Sequence, residues 1–330
     1  MPAAPTPASL LGGFVVEVCL ALLLYGIATA QSYVYMLNSK DDPPLLKSVV
    51  GSIWILETFH SAMIIHMLYE YTITDFGKLA DVGIIVWSVG LCVLVEMLIV
   101  ALAQGFYIRR IWILSNHSVL LTVVTSILLL ARVSFGFATA ALTYKLGAWT
   151  TFREETGPLF TLSCGLGLSA LVDALIAGII IYYLRRGQTG FKSTDNVVRS
   201  LMAYAVNSGA ITMIVSIVIV LTFVFLKNSL LFAGLVTVAG KLYSNSLLGT
   251  LNARSYLRSK SKGSAGYNSA ELSNIGPNSA RRSHTAQLQL PRANQIEIYQ
   301  ETTKVSDGSF IPGDEPEGRS AKTVDEVYAA

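Results

Sequence analysis

Seven long apolar runs set what this chain can become. They fall at about 10–35, 47–72, 83–107, 118–143, 160–184, 199–226 and 230–252, and each approaches or exceeds the roughly 20 residues that a helix needs to cross hydrocarbon. Short polar breaks separate them: "NSKDDPP", "TDFGKLAD", "RRIWILSNH", "YKLGAWTTFREETGP", "RRGQTGFKSTDN" and "KNS". Unpaired backbone groups are not tolerated in lipid and no run alternates as a barrel strand does, so each run is read as a helix. The fold class is therefore all-α, a polytopic seven-transmembrane-helix bundle over 10–255 after a short extracellular N-terminus over 1–9. Composition agrees, with 14% charged residues against the roughly 25% of a soluble domain. The mean hydropathy is +0.54. The first run is too long for a signal peptide and lacks a basic segment before it. The partner implied is the lipid bilayer. A net charge of +3 gives no argument for nucleic acid.

Lys and Arg set the orientation. One side collects Lys40, Lys47, Arg109, Arg110, Arg185, Arg186, Lys192, Arg199, Arg254, Arg258, Lys260 and Lys262. The other holds Lys78, Lys145, Arg153 and Lys227. The N-terminus is thus expected outside and the C-terminus in the cytosol, which puts the sequon Asn116-His117-Ser118 on the cytosolic side. Residues 256–330, rich in Ser, Asn, Gly and charge, read as a disordered cytosolic tail. Its juxtamembrane basic cluster, Arg254, Arg258, Lys260 and Lys262, suits anionic lipid headgroups. Further along, Arg282-Ser283-His284-Thr285 fits a basic-directed phosphorylation pattern, and "NQIEIYQETTKV" alternates like a strand. Cys19, Cys92 and Cys164 all sit in apolar runs, as small buried hydrophobes rather than disulfide partners. The protein is read as multi-pass and integral to the membrane, whether plasma membrane or endomembrane.

Ionisable groups inside spans are expensive and usually face the bundle interior. Here they are Glu17, Glu57, His60, His66, Glu70, Glu96, Arg132, Asp173 and Lys241. Glu57, His60, Glu96, Arg132, Asp173 and Lys241 lie within about a turn of their span centres and form the candidate intramembrane polar network. The pairings expected are Arg132 with Glu96, and Lys241 with Asp173 or Glu57. The second run, "IWILETFHSAMIIHMLYEY" (53–71), carries four of these groups. At 100° per residue, Glu57, His60, Tyr71 and Asp75 fall within about 60° of each other, and His66 lies opposite with Glu70 one turn on. Two pairs are expected, Glu57/His60 at the midplane and a secondary pair, His66/Glu70, about 9–15 Å nearer the outer surface. Glu57-x-x-His60 also fits the carboxylate–histidine element of di-metal bundles. That site needs a second copy, and the remaining histidines, His117 and His284, lie outside the spans. No metal and no cofactor are assigned. His60 could serve as a base near neutral pH, but no nucleophile motif accompanies it, so the chain is not read as an enzyme.

Four stretches carry a resemblance: "LETFHSAMIIHMLYEYTITDFG" (56–77), "FYIRRIWILS" (106–115), "DALIAGIIIYYLRRGQTGFKSTDNVVRSLMAYAVNSGAITMI" (173–214) and "KLYSNSLLGTLNAR" (241–254). Together they resemble the seven-span membrane proteins of mushroom-forming fungi that carry domain of unknown function 6534. The likeness spans about residues 15–256. That family typically has Asp where Glu57 stands. The resemblance implies a seven-helix membrane domain with no established activity. It also implies that Asp173, Asn207, Lys241, Tyr243, Asn245, Asn252 and Arg254 belong to a common architecture.

Four roles remain open on these residues. The outward N-terminus, basic inner loops and long tail favour a receptor-like or sensory protein whose small ligand binds between helices. It lacks Asp-Arg-Tyr after the third span and Asn-Pro-x-x-Tyr in the seventh. The midplane acids suit a small-molecule or proton-coupled transporter, but no internal duplication is visible. Lys241 occupies the place of a retinal Schiff base, without an acid at i−4, where Thr237 stands. A purely structural bundle glued by polar pairs is the plainest alternative. Whether the polar side chains converge on one cavity, or are each closed off in a pair, separates these roles.

Overall fold

The structure is a computed structural model that describes residues 6–40, 42–78, 81–186, 192–227 and 229–273. It is all-α. Helices α1 (Pro7–Asn38), α2 (Pro44–Tyr69), α3 (Trp87–Leu114), α4 (Val119–Leu146), α5 (Trp149–Glu154), α6 (Thr156–Arg186), α7 (Lys192–Phe225) and α8 (Leu231–Ser273) follow in order, with no named strand among the described residues. Compactness divides the chain into Met1–Ser264 and Ala265–Ala330. The first unit holds the bundle. Of the second, 265–273 are described, as helix. Arg282–Thr285 and the 294–305 stretch lie outside the described residues.

Local chemistry explains the helix limits. Thr6 caps α1 in a reciprocal arrangement with Ser9, and proline takes the first turn, where its missing N–H costs nothing. Gly147 ends α4 at φ +67°, a conformation that glycine adopts without strain. Several boundaries differ from the sequence reading, most of all in α3 and α8. α3 begins at Trp87 instead of 83, because Asp81–Gly83 form a 3-10 turn and Ile84 bridges to Ala148. It then runs through Arg109 and Arg110 to Leu114, since no helix breaker interrupts "RRIWIL". α8 likewise continues past 252 to Ser273, and no proline follows before Pro277.

Among the described residues, six helices are long and apolar enough to cross a membrane, and Gly209–Phe225 of α7 is a shorter apolar helix. Their outer faces are oily: Val16 and Leu23 of α1 are 68% exposed and Leu120 of α4 is 73% exposed. Continuous apolar surface of this kind belongs in lipid. The chain is a multi-pass integral membrane protein. α3 and α8 are its central helices, 56% and 67% buried along their apolar windows against 11% for α4.

α1 and α8 run parallel at a constant offset. Asn245 Nδ2 donates to the Leu24 carbonyl at 3.0 Å, and Asn252 Nδ2 to the Gln31 carbonyl at 2.8 Å. The two bonds lie seven residues apart on both helices, two turns along. At the N-terminal ends, Leu230 N donates to Leu10 O at 2.9 Å. Close approach there depends on Gly234, where a Cβ would stand 2.2 Å from Glu17 Oε2 and 2.8 Å from Glu17 Cβ.

The interior has three layers. One cluster, at the α5 end and rich in aromatic rings, gathers Phe14, Tyr71, Trp149, Phe152, Phe223 and Phe232. A second, at the opposite end, gathers Val50, Ile53, Ile111, Ile176, Leu247 and Leu251. Between them on α2, α3 and α8 come Glu57 and His60, Glu96, and Lys241, all buried. Gly234→Ala should therefore cost about 1–3 kcal/mol through overpacking, seen as a lower Tm in detergent. Gly12→Ala, where an added Cβ meets nothing within 4 Å, should not lower it. Equal melting of the two variants would contradict this packing.

Candidate functional site

Lys241 and Glu57 form the centre of the polar layer. Lys241 Nζ lies 2.5 Å from Glu57 Oε2, and both side chains are at most 1% exposed. The ammonium also donates to Ser61 Oγ at 2.8 Å and to the Glu57 carbonyl at 3.3 Å. Ser244 Oγ, one turn along α8 from Lys241, donates to the other carboxylate oxygen, Glu57 Oε1. The Tyr25 ring lies 5.3 Å from the ammonium. A buried pair of charges is tolerated only when its remaining donors and acceptors are satisfied, and this pair meets that condition. Of the two acids expected for Lys241, Glu57 is the partner and Asp173 is not.

Asp173 has a separate setting. Gln104 Nε2 donates to its Oδ1 at 2.7 Å, and Thr212 and Tyr243 donate to its Oδ2 at 2.8 and 2.5 Å. Ser169 Oγ lies 2.8 Å from the Tyr243 hydroxyl. Arg132 stands over the Tyr243 ring, 4.6 Å from its centre.

The expected Arg132–Glu96 pair is not formed. Among the described residues the ion pairs are Lys241–Glu57 and His66–Glu70. Arg132 takes the aromatic face because Tyr243, rather than Glu96, stands at contact distance from the guanidinium. Glu96 instead packs against Gly240, where a Cβ would come 3.0 Å from its Cγ. Glu57 and His60 do not pair either. Their shared face of α2 is buried as expected, yet Glu57 turns to α8, and His60, 0% exposed, holds no hydrogen bond at either ring nitrogen. His66 and Glu70 do meet, at 3.8 Å. His66 Nδ1 also lies 3.1 Å from Ser88 Oγ, and its ring rests 4.8 Å from that of Trp87.

His60, Glu96 and Arg132 converge on one cavity of about 110 Å³, walled by α2 to α8. Ser169 and Tyr243 line it beside them, and Trp149 and Phe152 of α5 border it with Phe232 of α8. Arg132 Nη1 and both His60 nitrogens are buried without a protein partner. A smaller cavity of about 30 Å³ lies behind Tyr243, against Gln104, Tyr107 and Asp173. Tyr243 borders both.

The larger cavity is lined at one end by α5, which the sequence reading placed in a polar loop. Trp149 Nε1 donates to the Tyr71 hydroxyl at 3.0 Å, which in turn donates to the Ile84 carbonyl. A π-helical turn over Glu70–Thr74 carries Tyr71 there. Arg153 donates to the carbonyls of Leu226 and Ser229 and lies 4.6 Å from the Phe232 ring centre. Burial pushes its guanidinium down to about 10, so it remains a cation at neutral pH. The sequence signal for this cover was Trp149 and Phe152, three apart in a short loop that otherwise looks polar.

Residues 169–256 match the model of a family of unknown function, DUF6534. The chain carries a DUF6534 region. No curated protein and no solved structure matches the chain. The DUF6534 region supplies Ser169, Asp173, Thr212, Lys241, Tyr243 and Ser244 to the polar layer. Their partners Glu57, Ser61, Gln104 and Arg132 come from helices before it. Of the other residues singled out by resemblance, Asn245 and Asn252 bind α1. The side chains of Asn207, Arg258, Lys260 and Lys262 lie outside the described residues.

Among the described residues no three of His, Cys, Asp and Glu gather as a metal site. Glu57→Gln should cost about 3–5 kcal/mol by leaving Lys241 buried without a counter-charge, read as a lower Tm and a poorer yield of folded protein. Glu57→Leu with Lys241→Met should recover most of that loss. A Glu57→Gln variant that melts with the wild type would refute the pair.

Proposed function

We propose that this is a receptor-like membrane protein that crosses the bilayer seven times and senses a small molecule held in the outer cavity. One observation carries the reading. The layer's strongest charges are closed off in the Lys241–Glu57 pair, while Arg132 Nη1 and His60 remain unpartnered on the wall of a 110 Å³ cavity. Mostly apolar walls with a few converging polar groups are the usual make-up of a ligand site. The size suits a ligand of a few heavy atoms, since a cavity near 150 Å³ takes up benzene.

Seven crossings are supported by the parallel run of α1 and α8, because a chain that alternates direction returns to its first direction after an odd count. α7, with 34 residues, is long enough to be the remaining crossing. The excess of Lys and Arg at the α1 C-terminal end supports an outside N-terminus. The covered cavity then lies in the outer half, behind α5. The chain is read as a binder rather than an enzyme. The cytosolic tail is read as the output element, and the juxtamembrane cations as its contact with anionic headgroups.

The test is a Tm series on purified protein with C2–C8 alcohols, carboxylates and amines. At least one probe should raise Tm by about 2 °C or more, and Ala239→Leu, which fills the wall, should remove that gain. A Tm unmoved across the whole series overturns the reading. Sensing is separated from carriage by the same probe, which should not accumulate in proteoliposomes.

A further inference from the structure

The inner cavity raises a different question: what neutralises Asp173. This carboxylate is 8% exposed and receives three hydrogen bonds, all from neutral donors. Among the described residues no Lys, Arg or His lies within ion-pair distance of it. Arg132 reaches the same tyrosine only at its ring face, 4.6 Å from the ring centre. An ionised carboxylate kept from water without a counter-charge costs several kcal/mol.

A second observation points the same way. Gln104 is 1% exposed, and its Oε1 is buried with no partner. Its amide orientation is fixed by the network, because Nε2 must face Asp173 Oδ1 as donor. An unmet acceptor is therefore left on a residue that lines the same cavity as Asp173. The same wall carries the hydroxyls of Tyr107 and Ser246, 3.3 Å apart. Six oxygen-bearing side chains, those of Gln104, Tyr107, Asp173, Thr212, Tyr243 and Ser246, line about 30 Å³, room for roughly two water-sized occupants.

From this geometry we infer that the inner cavity binds a small monovalent cation of sodium's class, held by Asp173, Gln104, Tyr107 and Ser246. Oxygen donors of this kind suit hard cations. A single carboxylate balances a single positive charge, which selects against divalent ions. The cation satisfies the Gln104 acceptor and the Asp173 charge at once, and the remaining volume takes a water. The site links α3, α6 and α8 and shares Tyr243 with the outer cavity. It stands on different residues from the ligand reading and does not depend on it.

The experiment is thermal unfolding of the full chain in detergent, titrated with NaCl against choline chloride at constant ionic strength. Sodium should raise Tm saturably, by about 3–6 °C at ten times its Kd, and choline should not. Asp173→Asn, which keeps the shape but not the charge, should melt identically in both salts. Gln104→Leu should move half-saturation at least tenfold higher, and it carries the test if Asp173→Asn does not fold. A wild-type Tm that is the same in sodium and choline overturns the site, leaving a protonated Asp173 or water alone in the cavity. A sodium gain retained in Asp173→Asn overturns it equally.

Discussion

The bundle is organised around one buried charge pair. Lys241 and Glu57 are buried inside long apolar helices, where a lone charge is expensive. Their contact therefore fixes the rotation of α8 against α2. Once that rotation is set, Ser244 falls on the same carboxylate and Asn245 on α1. Tyr243, two residues from Lys241, is turned toward α6 and Asp173. A single side-chain pair thus orients the helix that supplies Tyr243, Ser244 and Asn245 to their polar contacts. Such a pair adds little net stability over an apolar replacement, but it strongly disfavours arrangements that separate its members.

The two carboxylates nearest the layer's centre illustrate how charge is divided. Glu57 is fully enclosed by donors. Glu96 is not: it borders the outer cavity beside Arg132 and meets the backbone of α8 at Gly240. Polar groups closed off by protein specify the fold, and those left facing a void are available to an occupant. α5 marks the same division from outside, since its aromatic side chains, anchored through Tyr71 and Arg153, cover the void that the polar groups border.

Much of this was legible in the sequence because the bilayer is a severe solvent. Apolar length alone located the six helices long and apolar enough to cross a membrane, and the cost of burying charge singled out Glu57, His60, Glu96, Arg132, Asp173 and Lys241. The pairings were less legible. Whether Lys241 meets Glu57 or Asp173 depends on relative helix rotation, which no single run encodes. Arg132 was matched to Glu96 on charge, whereas its neighbour is an aromatic ring, whose attraction for a guanidinium leaves no charge signal. Gln104, Ser61 and Ser244 passed unnoticed because neutral polar residues are common in such helices. Their signal was positional: Ser61 lies one turn from Glu57, and Ser244 one turn from Lys241. α5 was missed for a simpler reason, since six residues are too few to show a period.

Tyr243 joins the two cavities. Its ring faces Arg132 at the outer cavity, and its hydroxyl holds Asp173 at the inner one. An occupant that drew Arg132 outward would remove a cation from that ring. The same change would weaken the positive field acting on the Asp173 site through it, and so strengthen a cation's hold there. Energy can pass between the cavities in this way without any large movement of the helices, because each state is defined by which partner satisfies a buried charge. Coupling of that kind is reciprocal: an ion bound as inferred at Asp173 would alter the affinity of the larger cavity for its proposed ligand by the same factor as that ligand would alter the ion's.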